Sequence, residues 1–292
     1  MPTLGIDFFR AELPDTEHLQ EALLKLAAKD LAAREYELRD EQVVRLEIAT
    51  SGWQHCVEGE MARLRFSSLP EKGARGRHME SLGLPANAGV GDRCAFLYDT
   101  RSKVLVLQRN RYAISASGFA HYLNAKAQMT EKVEFRAVLT EAAYKKLASM
   151  SDIRRLEIAL AAPRNPGQIM RDTGSAVGPI LNARDALLAP SAKFIFAAGR
   201  GGESLPRRIV TDTVRDFLTM RAEDEKSVKS IKVVGAEEDE EPVLLDLITE
   251  RLRTSDELEP SRERTLPYEQ RRASLRRAWN QHRSELHRMF AA

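Results

Sequence analysis

Hydrophobic and polar residues alternate along several short stretches in the first half of the chain, as is typical of half-buried strands. After the first of them, Leu19, Leu23 and Leu26 recur at helical spacing behind Asp15 and Thr16, which predicts a capped helix. The strands are predicted at residues 4–9, 43–49, 61–66, 94–98 and 103–108. The last two flank the tetrapeptide DTRS that begins at Asp99, so they are predicted to form a hairpin.

The second half changes rhythm, because β-rich runs now alternate with runs of helical periodicity. Strands are predicted at residues 133–139, 153–161, 193–197 and 231–234, and helices at 141–150, 176–188, 210–222 and 243–252. This alternation favours an α+β fold with mixed sheets and packed helices, whose second half is a split βαβ, ferredoxin-like layer. We therefore expect three regions: an α+β region over 1–128, a ferredoxin-like region over 129–258 and a C-terminal helix within 259–292.

That last helix, predicted from about Tyr268, has an apolar stripe that must be buried. Leu275, Trp279, Leu286 and Phe290 lie within a stripe roughly 100° wide. Aromatic side chains of this size are too large to leave in water, so the helix is expected to dock either on its own domain or on a second subunit. Dimerisation or docking through these four residues is the first interpretation, phosphate contacts by the arginines of the helix are the second, and a membrane-surface helix ranks well below both.

The net charge of +2 conceals a segregated distribution. Residues 60–111 carry 10 Lys or Arg against 5 acids, and residues 260–292 carry 8 against 3, whereas residues 221–259 carry 6 against 13. Two basic islands make binding to a polyanion plausible on electrostatic grounds. The acidic run 237–241 could in turn shield the basic surface, which is a hypothesis based on opposite charge alone.

The basic island between residues 60 and 111 includes a long segment rich in glycine and alanine, PEKGARGRHMESLGLPANAGVGD, which is predicted to be a loop. Basic side chains in such a setting neutralise phosphates without reading bases. The predicted DNA-contacting residues are Lys72, Arg75, Arg77, Arg109, Arg111, Arg207, Arg208, Arg271, Arg272, Arg276 and Arg277.

The sequence lacks the common short motifs of catalysis. There is no GxxxxGK[ST], GxSxG or HExxH, and no catalytic, cofactor-binding or metal-binding residue is predicted. Glu157, in the β-rich run RRLEIALAA, is the best candidate for a metal-dependent nuclease site, although an outward position on an alternating strand explains it better. Cys56 and Cys94 show no CxxC spacing, and neither a signal peptide nor a membrane span is recognised, so a cytoplasmic location is expected.

Three segments together resemble the RexA-type phage-exclusion proteins of temperate phages: GDRCAFLYDTRSKVLVLQRNR, SIKVVGAEEDEEPVLLDLITERL and the arginine-rich C-terminal helix. The resemblance is one of pattern and order over about half of the chain, without a catalytic motif. It implies an α+β homodimer that binds double-stranded DNA without marked sequence preference. It also implies a sensor role in superinfection exclusion or abortive infection, with a separate membrane channel partner. The alternatives are a metal-dependent nuclease of a defence system and a protein-interaction adaptor.

Overall fold

The structure is a computed structural model, and it describes residues 3–13, 18–38, 42–127, 129, 132–161, 177–199, 203–237, 240–259 and 265–291. The predicted cap residues Asp15 and Thr16 lie outside these ranges. The elements in chain order are β1 (Thr3–Glu12), α1 (Leu19–Ala27), α2 (Leu31–Arg34), β2 (Tyr36–Leu38), β3 (Gln42–Trp53), β4 (Cys56–Arg65), β5 (Val90–Asp99), β6 (Val104–Arg109), α3 (Ala116–Lys126), β7 (Glu134–Ala137), α4 (Glu141–Ser149), β8 (Asp152–Ala161), α5 (Val177–Ala186), β9 (Ser191–Ala197), α6 (Arg207–Glu223), β10 (Val228–Ala236), β11 (Val243–Asp246), β12 (Arg253–Glu257) and α7 (Tyr268–Phe290).

The larger sheet has eight strands, all paired antiparallel, in the order β12-β1-β6-β5-β4-β3-β2, with β7 also paired to β1. Gln54 and His55, both at positive φ, form the two-residue turn between β3 and β4, the backbone geometry that tight hairpins prefer. At the next hairpin, the Asp99 carboxylate accepts a hydrogen bond from the Ser102 amide at 2.7 Å. The hairpin predicted around Asp99 is therefore present.

The smaller sheet has four strands in the order β11-β10-β8-β9. Because β9 and β10 are both antiparallel to β8, they are parallel to each other, and α6 connects them across the strand between. This is a split βαβ unit. The predicted α+β class, with mixed helices and sheets and a C-terminal helix, is confirmed.

One predicted element is wrong. Residues 243–252 were expected to be helical, but they contain strand β11 and a turn. The apolar run there fits either period over so short a length. Pairing with β10, which buries Leu245, decides in favour of the strand.

The larger sheet collects strands from distant parts of the chain. The strands β7 and β12 both pair along β1, so residues on either side of the expected boundary at 128 lie in one sheet. In β1, Ile6 and Phe8 face α7, whereas Phe9 and Ala11 face the main core on the opposite side, which α1, α3 and α6 help to form. The central strands of the sheet are thus buried on both faces, and α7 covers one of these faces.

Candidate nucleic-acid interface

One end of the larger sheet carries four of the predicted basic residues on its loops and turns. Because neighbouring strands run in opposite directions, the end of β4, the start of β5 and the end of β6 meet there, as the pairs Arg65–Val90 and Gly5–Arg109 show. The loop 66–89 and the turn that follows β6 therefore project from the same end. We call the surface formed by Lys72, Arg75, Arg77 and Arg111 the basic end.

The loop 66–89 presents its cations on a closed turn. Lys72 and Glu80 exchange two backbone hydrogen bonds, of 2.8 and 3.0 Å, and their side chains form an ion pair at 3.3 Å. Between them, Gly76 adopts a φ of 71°, a left-handed conformation that glycine permits. Arg75 and Arg77 flank this glycine, are exposed and form no ion pair with any residue that the structure describes. Their charge is therefore available to a partner.

The turn after β6 adds an arginine stacked on an aromatic ring. The guanidinium carbon of Arg111 lies 4.5 Å from the centre of the Tyr112 ring, which is 49% exposed. Asn110 fixes this turn, since its Oδ1 accepts from the Tyr112 amide at 3.1 Å and its Nδ2 donates to the Arg93 carbonyl at 3.0 Å. The second bond attaches the turn to β5, shortly after the long loop 66–89 ends.

Three other predicted contacts are placed differently. Arg109 forms an ion pair with Glu225 at 2.6 Å. Arg207 and Arg208 are exposed in the first turn of α6, which has 17 residues and is about 25 Å long. The far end of α6 lies near Arg109, because Arg221 there donates to the Glu225 carbonyl. Arg207 and Arg208 are thus a helix length away from the basic end.

The four α7 arginines that were predicted to contact DNA are directed to carboxylates of the chain itself. Arg271, with a side chain 6% exposed, forms an ion pair with the buried Glu60. Arg276 forms two hydrogen bonds to Glu58, of 2.6 and 2.5 Å, and this pairing raises the pKa of the arginine although burial opposes the shift. The α7-facing side of the sheet thus carries acids that the helix neutralises.

The two remaining predicted arginines of α7 are also paired. Arg272 contacts Glu269 at 2.5 Å, and Arg277 is bonded to Asp256 of β12. Burial works against the charge on Asp256, but hydrogen bonds from Ser274 and Arg277 lower its pKa. None of the four predicted arginines in α7 is therefore without a partner in the described part of the chain.

The apolar stripe of α7 is covered by the larger sheet of the same chain. Leu275, Trp279 and Leu286 are buried against it, and Trp279 is 0% exposed. Phe290 is partly buried and packs edge-on against Tyr144, with ring centres 6.2 Å apart. Of the two alternatives for this helix, docking on its own domain is the one observed. A homodimer stays a prediction, and these side chains are not available to it while α7 is docked.

Comparison with known proteins gives a family without a known activity. Residues 15–287 match the Family of unknown function (DUF6731). The chain belongs to DUF6731. A search of curated proteins finds no match.

Cys56 of this DUF6731 protein lies buried in a polar cluster with Asp99, Ser102 and His287. Cys56 Sγ lies 3.8 Å from Asp99 Oδ1, and Asp99 also accepts from Ser102 Oγ at 2.7 Å and lies 3.3 Å from His287 Nε2. Burial and the Asp99 carboxylate raise the pKa of the Cys56 thiol far above its usual range. In the described part of the chain the thiol neighbours the Asp99 carboxylate instead of the His287 imidazole, and a negative neighbour disfavours the thiolate.

Glu157, the acid considered for a metal site, lies among basic side chains. Glu157 forms ion pairs with Lys193 at 2.8 Å and Arg155 at 3.1 Å, and the hydrogen bond from Lys193 lowers its pKa against the effect of burial. Among the described residues, no group of three His, Cys, Asp or Glu side chains is arranged to hold a metal ion. Of the acidic run 237–241, Glu237 accepts from Ser149 Oγ at 2.5 Å, while residues 238–239 lie outside the described ranges.

No helix in the described ranges is long and apolar enough to cross a membrane. Sequence reasoning missed Tyr112 and the carboxylates Glu58 and Glu60. For Tyr112 a signal was present, since an aromatic follows two arginines in RNRY. For the carboxylates there was none, because only the docked helix identifies the strand face on which they lie.

Proposed function

We propose that this DUF6731 protein binds double-stranded DNA through the phosphate backbone, with the basic end as its contact surface. The observation that supports this best is the state of Arg75 and Arg77, which are exposed, without an acidic partner in the described chain, and held on a turn closed by Lys72 and Glu80. Guanidinium groups in this state bind phosphate oxygens readily.

Binding of this kind is independent of base sequence. The basic end has no helix or strand shaped to enter a groove, and its cations lie on loops and turns. Such contacts position a protein on DNA but carry no sequence information. Arg111 stacked on Tyr112 adds one cation and one exposed ring beside them.

The biological setting that we propose is superinfection exclusion or abortive infection. The protein would act there as a homodimer that senses DNA, with a membrane channel protein as its partner. This part of the proposal rests on the resemblance to RexA-type proteins. Its support is the sequence and order of three segments: residues 91–111, residues 230–252 and the C-terminal helix.

The test is binding to two unrelated duplexes of equal length over a range of salt concentrations, with magnesium present and the DNA inspected for cleavage. We expect similar affinities for both duplexes and a steep fall with salt. Each phosphate contact adds about 0.9 to the slope of log affinity against log salt. The variant Arg75→Glu/Arg77→Glu should bind both duplexes more weakly and by the same factor.

The matched control is Arg207→Glu/Arg208→Glu, which reverses two exposed arginines at the other end of α6 and should leave binding unchanged. If the loop variant binds as the wild type does, the basic end is not the contact surface. If the wild type cleaves the duplex, a nuclease replaces the binding protein as the better proposal.

A further inference from the structure

Two arginines from different strands converge on one carboxylate at the edge of the basic end. Arg109 Nη1 lies 2.6 Å from Glu225 Oε1, and Arg253 Nη1 lies 3.9 Å from the same oxygen. Arg109 ends β6 and Arg253 begins β12, so the two flank β1 from opposite sides. Glu225 belongs to the turn between α6 and β10 and bridges them.

Gly5 on β1 makes this arrangement possible. It pairs with Arg109 on one side and with Ser255 on the other. A Cβ atom at Gly5 would lie 2.7 Å from both Nε and Nη2 of Arg109. The absence of a side chain therefore lets the Arg109 guanidinium lie across β1, toward the strand that carries Arg253.

A third arginine lies in the layer below. Arg251 Nη2 is 2.7 Å from Asp7 Oδ2, and both side chains are buried. Within the described chain, Arg251 Nε and Asp7 Oδ1 have no hydrogen-bond partner. Burial lowers the pKa of Arg251, and although Asp7 opposes the shift, the nearby Arg109 and Arg253 add to it. Three cations thus share two carboxylates, which leaves an excess of positive charge.

We propose that Arg109 and Arg253 form a binding site for a phosphate group, which Glu225 occupies in this structure. A phosphate has several oxygens and up to two negative charges, so it satisfies two guanidinium groups better than one carboxylate oxygen does. The site needs neither Arg75 nor Arg77, so it extends the proposed function without depending on it.

The Glu225 side chain can move away from the two arginines. Its side chain is 55% exposed, and its turn is held independently, because Arg221 Nη1 donates to the Glu225 carbonyl at 2.6 Å. Rotation of the side chain frees both arginines without unfolding the turn. The carboxylate therefore acts as an internal competitor, and its occupancy reduces the apparent affinity for an external phosphate.

The phosphate could belong to a DNA backbone that passes the basic end or to a small phosphorylated molecule. The two sources share the same chemistry at the arginines. They differ in whether a DNA duplex also binds more tightly once Glu225 is removed, and the experiment uses this difference.

The experiment is calorimetric titration of the full chain with inorganic pyrophosphate and, separately, with a short duplex. Glu225→Ala removes the competitor and should bind pyrophosphate about fivefold more tightly than the wild type, the factor expected for releasing one exposed ion pair. Glu225→Ala/Arg253→Gln should lose this gain. Arg253 is on an edge strand and partly exposed, so thermal melting should show both variants folded.

Each outcome of these titrations either supports or overturns the proposed phosphate site. A gain for both probes with Glu225→Ala assigns the site to backbone phosphate, and a gain for pyrophosphate alone assigns it to a small molecule. Equal binding by the wild type and Glu225→Ala, or no binding by either, overturns the proposal and leaves a purely structural ion pair. Arg75→Glu/Arg77→Glu should keep its pyrophosphate affinity, so failure of the loop as a DNA surface would be seen separately.

Discussion

The basic end and helix α7 are both rich in arginine, yet the fold uses that charge in opposite ways. In α7, Arg271 and Arg276 turn toward Glu60 and Glu58 on the sheet beneath them. In the loop, Arg75 and Arg77 project from a closed turn and meet no acid in the described chain. The number of arginines in a segment therefore does not predict ligand binding. Whether an arginine is available to a ligand depends on whether the fold places a carboxylate opposite it.

The charged contacts beneath α7 contribute to the docking of the helix in a different way from its apolar stripe. Burying an ion pair costs desolvation energy that the attraction between the charges barely repays, whereas burying the large apolar surface of Trp279 is favourable. The pairs to Glu58 and Glu60 instead penalise any other placement of the helix, because a shifted helix would leave a buried carboxylate alone. We infer that the stripe supplies the stability of docking and the ion pairs fix its register.

The largest effect is expected from Trp279→Ala. The side chain is fully buried in its own protomer, so its removal should lower the free energy of unfolding by about 3–5 kcal/mol. Chemical denaturation followed by circular dichroism measures this directly. DNA affinity at a temperature where the variant is folded should not change.

The same variant tests the dimer interpretation of the stripe. If Trp279 lay in a seam between subunits, its loss would reduce the mass in solution while each subunit kept its stability. Sedimentation of wild type and variant at equal concentration separates the two cases. A halved mass with unchanged unfolding would contradict intramolecular docking.

A smaller but still large effect is expected from Arg271→Met. The substitution keeps the apolar stem but leaves Glu60, whose side chain is 4% exposed, without its buried cation. Leaving a charge unpaired in this way costs about 3 kcal/mol in unfolding free energy.

The double variant Arg271→Met/Glu60→Leu should recover most of that loss, because neither partner is then charged. The remaining neighbour of Glu60, Arg93, is more than half exposed and tolerates the change. If the double variant is no more stable than the single one, the pair contributes through something other than the uncompensated charge.

Helix α7 also illustrates which features of this protein could be predicted from its sequence. The stripe of Leu275, Trp279 and Leu286 could be read from helical spacing, since burial of such residues follows from the hydrophobic effect alone. The surface that covers the stripe could not be predicted from sequence. Glu58 and Glu60 lie on that surface, more than 200 positions earlier in the chain than their arginine partners. The same holds for the ion pair of Arg109 with Glu225, which only long-range topology brings together.

Along the strands, too, features set by neighbouring residues could be predicted from sequence, whereas features set by distant contacts could not. The hairpin at Asp99 was predicted because its turn residues and flanking alternation are adjacent in sequence. The segment 243–252 was assigned to a helix because a short apolar run is compatible with both periods, and its pairing with β10 is a tertiary contact. Charge counts likewise located the loop 66–89 as a basic segment, but they could not show that the described chain places no acid opposite Arg75 and Arg77.

A modest, pH-dependent effect is expected where the end of α7 meets α4. Hydrogen bonds from Arg288 and Lys145 lower the pKa of Glu141 from 4.5 to about 2. A carboxylate whose pKa is lower in the folded state contributes stability above its unfolded pKa, and this contribution is lost as the pH falls from about 4.5 toward 2. The wild type should therefore lose thermal stability over that range more steeply than Glu141→Gln does.

The control for this effect is Arg288→Gln, which removes the cation of α7 and keeps Lys145. It should lie between the wild type and Glu141→Gln in its response to acid. If all three proteins respond alike below pH 5, the pair at the end of α7 does not contribute to docking.

The smallest effect on stability, and the one that separates the two regions most clearly, is expected from Arg75→Gln/Arg77→Gln. Both side chains are exposed and unpaired in the described chain, so the free energy of unfolding should change by less than about 0.5 kcal/mol. Under the proposed function, the salt slope of DNA binding should fall by about 1.8, since two phosphate contacts are lost. The matched variant Arg276→Gln, in α7, should do the reverse, lowering stability because Glu58 is left buried and leaving the slope unchanged. If both variants change the slope equally, the arginines of α7 reach DNA as well, and the distinction between inward-paired and outward-facing arginines does not describe how this protein uses its charge.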